Sequence, residues 1–338
     1  MSAPASWEAF FNEWMAPLEA EMRAAVGEPS HPAERLFYGM LAYHLGWADA
    51  QLRPIRLDAG KRIRPMLCLL ACAACGGDPA RALPAAAAIE LLHNFSLIHD
   101  DIQDRSETRR GRPTVWALWG IAQAINAGDA LFTIAHRALW RLRERGVPAE
   151  RILEVAERFD AACLMLTRGQ HFDLAFESAE RVTVEEYLEM IRGKTAALLR
   201  AALGIGARLA DHPSEDLEAF GEALGMAFQI QDDLLGIWGD PAVTGKSAAD
   251  DLRARKKTLP VIITMERIPG FVERYRNPET PLEALLQDLE ASGARSEAEG
   301  MAAAFTHQAM AALDRAGLQN PYGEALRDLA RALLSRAR

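Results

Sequence analysis

Apolar residues recur at steps of three and four along most of the chain, the spacing of helices that turn one face to a core. The breaks between such runs fall at turn-forming residues: Gly60, Gly76-Gly77-Asp78-Pro79, Gly111-Arg112-Pro113, Gly146-Val147-Pro148, His212-Pro213 and Gly239-Asp240-Pro241. At ordinary helix lengths this punctuation predicts about ten or more helices and no long linker. β-Branched residues are few and Ala, Leu, Arg and Glu are many, which favours helix over strand, so the predicted fold class is all-α.

Two of the apolar helices carry acids where a core would exclude them. In IELLHNFSLIHDDIQD, Ile89 to Asp104, the polar residues His93, Ser96, Asp100 and Asp104 follow steps of three, four and four and trace one line along the helix. Asp100 and Asp104 differ by about 40° around the axis, so both carboxylates point the same way. Such a pair repels itself and loses hydration, and no cation stands at matching spacing on that face. A divalent metal resolves the conflict, and all-oxygen ligation favours magnesium. A second segment, FGEALGMAFQIQDDLLGIWGD from Phe220 to Asp240, repeats the design: Gln229 and Asp232 share a face, and Asp233 follows.

Charge narrows the partners. Lys and Arg total 38 against 47 Asp and Glu, a formal net charge of -9, which argues against a sequence-independent grip on nucleic acid. Local basic clusters therefore mean something local. GKRIRP supplies Lys61, Arg62 and Arg64; SETRRGRP supplies Arg109, Arg110 and Arg112 just after the first acidic segment; Lys194, Lys246, Lys256 and Lys257 lie near the second. Carboxylate-held metal beside clustered cations points to a phosphate-bearing ligand. The longest charge-free stretch, Pro113 to Gly128, is 16 residues, short of the roughly 20 a spanning helix needs. The start MSAPASWEAFFNEW has no basic region followed by an apolar run, so the expected location is cytoplasmic. Cys68, Cys72 and Cys75 have the C-x3-C-x2-C spacing of a cluster motif, but they sit in an apolar helical run and read as core residues.

Taken together, GKRIRP, DDIQD at Asp100 to Asp104, RRGRPTVW, Lys194-Thr195, FQIQDD and KKTLP resemble the trans-isoprenyl diphosphate synthases, most closely the geranylgeranyl type. The resemblance runs from about Arg53 to Pro260. It implies the isoprenoid synthase fold, a helical bundle around a central cavity, with one synthase domain over 1–338, C-terminal helices over 261–338, and a homodimer. It implies that Asp100, Asp104 and Asp232 bind magnesium, three ions in all, with Asp101 and Asp233 in support. Arg109, Lys194, Thr195, Gln229 and Lys246 are implied for the allylic diphosphate, Lys61, Arg64, His93 and Arg110 for isopentenyl diphosphate, and Lys256 for substrate binding. Gln170 and Asp173 resemble a further polar pair of the family. Phe95, with small Ser96 beside it, resembles the residue that sets chain length, so dimethylallyl, geranyl and farnesyl diphosphates are the expected primers and geranylgeranyl diphosphate the expected product.

The sequence departs from the family at one point. The second motif usually reads DDxxD, and here Gly236 stands in place of the last aspartate. Shorter or longer products, a class I terpene cyclase and a non-catalytic partner subunit are the other readings. The first of the two rival activities is disfavoured by the presence of Lys61, Arg64 and His93, the second by the intact DDIQD.

Overall fold

The computed structural model describes residues 6–57, 60–240 and 249–334. In chain order the helices are α1 (Trp7–Val26), α2 (Arg35–His44), α3 (Ile63–Ala74), α4 (Pro79–Gln103), α5 (Val115–Trp119), α6 (Ile121–Trp140), α7 (Ala149–Ser178), α8 (Val184–Ile191), α9 (Ala197–Leu209), α10 (Glu215–Trp238), α11 (Asp250–Arg253), α12 (Leu259–Arg267), α13 (Phe271–Arg276), α14 (Leu282–Ser292), α15 (Ala294–Arg315) and α16 (Pro321–Leu334). One small departure from the all-helical expectation is a hairpin, in which β1 (Thr108–Arg109) pairs antiparallel with β2 (Arg112–Pro113). Arg110 and Gly111, at φ 52° and 70°, make its two-residue turn, and left-handed backbone at both positions suits the twist of a hairpin.

The chain forms two compact units, Met1–Phe159 with Ile205–His212, and Asp160–Gly204 with Pro213–Arg338. In the first, α4 packs against α1, α3 and α6. Asp78 starts α4 by accepting from the Ala80 N–H at 2.9 Å, and Pro79 takes the first helical position, where its missing N–H costs nothing. Ala82 and Ala85 to Ala88 are wholly buried, so neighbouring helices can come close along the first half of α4. Inside this unit Arg62 is buried between two carboxylates, 2.7 Å from Glu90 and 2.8 Å from Glu19. Arg62 was expected among the phosphate-binding cations; it is instead a structural ion, because its side chain turns into the core. Cys68 and Cys72 lie inside α3 and Cys75 caps it, all as free thiols; burial pushes Cys72 and Cys75 up to about 12, which makes them inert.

In the second unit α10 packs against α15 and α12, around a core that includes Tyr187, Met226, Ile230, Ile262, Phe271 and Leu289. Among the described residues, no helix is long and apolar enough to cross a membrane.

Candidate functional site

The first acidic segment comes at the C-terminal end of α4. Asp100 lies in the last turn and Asp104 caps it, its N–H donating to the Asp100 carbonyl at 2.8 Å. Carboxylates there add to the negative end of the helix dipole, so this end of α4 attracts cations strongly. Neighbouring acids have separate duties. Asp100 is half-buried and Asp104 exposed, whereas Asp101 is buried and accepts from Arg109 Nε at 2.7 Å. Burial raises the Asp101 carboxyl above its usual range, and Arg109 opposes that shift.

The β1–β2 hairpin then delivers the arginines. Arg110 occupies left-handed backbone, a conformation that costs a non-glycine residue about 1–3 kcal/mol and is held where the surroundings demand it. Its guanidinium lies over Gly60, where a Cβ would come within 3.0 Å, so the hairpin tip meets the segment that carries Lys61. Arg112, expected among the phosphate-binding cations, is spent elsewhere. It donates to the carbonyls of Tyr43 at 3.2 Å and Ala48 at 2.9 Å and covers the Tyr43 ring.

On the adjoining faces of α3 and α4, Arg64 reaches to 3.4 Å from His93 Nε2. Burial, then Arg64, Arg110 and Arg109, hold the His93 imidazole far below its ordinary range, so it is neutral. Ser96 donates to the His93 carbonyl at 2.8 Å. The residues implied for isopentenyl diphosphate, Lys61, Arg64, His93 and Arg110, thus gather in one unit. Sequence reasoning passed over His44, which lines a cavity of about 350 Å³ with Asp101, Arg109, Arg110 and Arg112. Its Nε2 is buried and finds no partner among the described residues, and burial with the surrounding arginines lowers it to about 3.

The second unit holds the other half of the predicted set. Between α8 and α9 the helix widens into a π-turn, Arg192–Ala196, which carries Lys194 and Thr195. Such turns are rare and cluster at functional sites. The widening has a visible companion in α7: a Cβ on Gly169 would lie 2.2 Å from the Lys194 nitrogen, and one on Gly193 would lie 2.6 Å from the Met165 carbonyl. Only two glycines allow the backbones this approach. Lys194 Nζ donates to Asp173 at 2.5 Å, which gives Asp173 of the Gln170–Asp173 pair a defined contact.

From Thr195 a chain of hydrogen bonds runs to α10. Thr195 Oγ1 donates to Gln229 Oε1 at 2.8 Å, and Gln229 Nε2 donates to Asp233 Oδ1 at 3.1 Å. Asp233 Oδ2 accepts from the Tyr187 hydroxyl and from the Leu259 N–H, the latter at 2.9 Å. Asp233 is buried and pushed up to about 7, while its neighbour Asp232 is exposed. Tyr187 was missed in the sequence, where it stands seven positions before Lys194 and nothing marks its partner. Lys256 is exposed and 3.6 Å from Asp251. Lys257, expected near a phosphate, instead caps the end of α7 by donating to the carbonyls of Phe176, Glu177 and Ala179. Lys246 lies outside the described residues.

Residues 47–280 match the family model Polyprenyl synthetase. The chain belongs to this family. It is 43% identical over 311 residues, 88% of this chain and 85% of the relative, to a (2E,6E)-farnesyl diphosphate synthase of Mycobacterium tuberculosis. A geranylgeranyl diphosphate synthase of the same organism is 44% identical over 265 residues, covering 77% and 75% of the two chains. A crystal structure of a polyprenyl synthetase from Streptomyces coelicolor superposes with a TM-score of 0.84 at 37% identity, covering 96% of this chain and 99% of that one. The fold is therefore that of the isoprenoid synthases, and as a member of the polyprenyl synthetase family the chain is a trans-prenyltransferase. Family membership and the Lys61, Arg64 and His93 grouping leave the terpene cyclase and silent-subunit readings without support.

Proposed function

We propose that this prenyltransferase condenses isopentenyl diphosphate with dimethylallyl, geranyl and farnesyl diphosphates and releases geranylgeranyl diphosphate. The observation that carries the product length is the setting of Phe95. It stands five residues before Asp100, about 7.5 Å along α4. Its ring is buried, edge-on to His99 at 4.8 Å and tilted against Phe132 at 5.0 Å, and His136 and Phe159 continue the run behind it. A backed aromatic wall is hard to displace and supports a product that stops at a fixed depth below Asp100, with Ser96 too small to stop it sooner. Farnesyl diphosphate is the second reading, favoured by the extent of the match to a farnesyl diphosphate synthase.

Asp100, Asp104 and Asp232 are the accessible members of the two acidic clusters, and their inner neighbours are already committed to protein partners. Accessible carboxylates fit magnesium, and we assign three ions to these aspartates. Magnesium bound there would neutralise the diphosphate leaving group as the carbon–oxygen bond breaks to an allylic cation. Arg109, Lys194, Thr195, Gln229, Lys246 and Lys256 bind and orient the allylic diphosphate. Arg64, Arg110 and Lys61 hold isopentenyl diphosphate, and neutral His93 offers it a hydrogen bond without further charge. Apolar walls keep water from the cation. The isopentenyl double bond then attacks, and the departing diphosphate takes the proton, so no protein nucleophile is needed. The exposed apolar side chains of Leu118, Ile121 and Ile125 support a homodimer.

The test is direct: purified protein is incubated with magnesium, isopentenyl diphosphate and each allylic primer, and the products are weighed by mass spectrometry. A twenty-carbon diphosphate is expected. A fifteen-carbon end product selects the second reading, and no condensation with any primer overturns both.

A further inference from the structure

Gly236 stands where the acidic pattern of α10 breaks, and its surroundings are not empty. A Cβ built at this position would lie 1.8 Å from Asp251 Oδ2 and 2.6 Å from its Cγ. A carboxylate from another segment thus fills the root of the missing side chain. Position 236 shares a helix face with Asp232 one turn away, and Cβ atoms so spaced are about 5–6 Å apart.

The backbone of Asp251 is fixed in place. Leu252 beside it is fully buried in the core, the Lys256 N–H donates to the Asp251 carbonyl at 2.9 Å, and the Arg253 N–H donates to the Ala249 carbonyl at 3.0 Å. The side chain is 13% exposed, and its ion pair with Lys256 spans 3.6 Å to a partner that is itself 65% exposed. That distance is beyond a hydrogen bond, and a pair so open to solvent does little to offset the burial of a carboxylate. Its position on the Asp232 face of α10 is better accounted for by an ion.

We propose that Asp251 supplies the carboxylate that position 236 lacks, and with Asp232 completes the second set of oxygen donors. The assignment rests on the magnesium–diphosphate reading given above. Because magnesium keeps several of its waters, Asp251 can serve directly or through one of them. Glycine at 236 is then a requirement, since any side chain there displaces the carboxylate that does its work.

The experiment titrates Mn2+ into the purified full-length protein with inorganic diphosphate present and follows free Mn2+ by its paramagnetic resonance signal. In the wild type, diphosphate-dependent uptake of Mn2+ is expected. Asp251→Asn should weaken that uptake about tenfold to a hundredfold. Gly236→Ala removes no donor and should weaken it in the same direction by pushing Asp251 aside. Gly236→Asp combined with Asp251→Ala leaves a Cβ–Cβ approach of 3.4 Å and should recover most of the loss. Unchanged Mn2+ uptake in Asp251→Asn overturns the role of Asp251 and leaves the synthase reading intact. Loss in Asp251→Asn without recovery in the double variant marks a merely structural residue and also overturns it. A wild type that takes up no diphosphate-dependent Mn2+ overturns the magnesium–diphosphate reading, and this proposal with it.

Discussion

The Tyr187 hydroxyl donates to Asp233 Oδ2, the same oxygen that accepts from the Leu259 N–H. Through the other oxygen, Gln229 and then Thr195 are held in line, so a tyrosine in α8 orders side chains assigned to the allylic diphosphate. Tyr187→Phe keeps the packing and deletes one donor to a buried carboxylate, a loss of about 1–3 kcal/mol. Urea unfolding should register that loss. Steady-state kinetics should show a larger rise in KM for the allylic diphosphate than for isopentenyl diphosphate, and equal changes in both would contradict the proposed path.

Gly169→Ala places a methyl group 2.2 Å from the Lys194 nitrogen, a backbone atom that cannot swing away. Overpacking of this kind costs about 1–3 kcal/mol. The π-turn should shift and carry Lys194 off Asp173, so a drop in kcat alongside lower thermal stability is expected. A variant with wild-type kcat and melting temperature would mean that the close approach is not needed.

His44 gives a pH signature. Its folded pKa of about 3 lies below the ordinary 6.5, so between these values the unfolded chain binds a proton that the native state refuses. Stability attributable to His44 is therefore complete above about 6.5 and is lost as pH falls toward 3, by up to about 1.4 kcal/mol per pH unit. His93, shifted the same way, steepens the slope. Denaturant unfolding between pH 4 and 7 should become flatter in His44→Gln, and an unaltered slope would exclude this histidine as the cause.

Phe95→Ala opens the wall at its first ring. Mass spectrometry of the products should find chains longer than the wild type makes, at a stability cost of about 3–5 kcal/mol for deleting a buried phenylalanine. An unchanged product distribution would remove Phe95 from chain-length control and leave it as core packing.

The linear pattern by itself determined the helical class, because periodicity and capping are local properties of neighbouring residues. It also placed Asp100, Asp104 and Asp232 on helices, since carboxylates in apolar runs conflict with burial wherever they occur. It could not tell which member of a cluster faces which partner. Arg62, Arg112 and Lys257 look in sequence like the cations beside them, yet each is consumed by a carboxylate or by carbonyls many residues away. Likewise the sequence makes Gly236 a gap, and only the fold brings Asp251 into it. Tyr187 and His44 carry no local mark either, because burial and long-range contact alone give a hydroxyl its acceptor and an imidazole its depressed pKa. Charge type and helical register are written residue by residue; pairing depends on which distant segments pack together, and that was decided only when the chain folded.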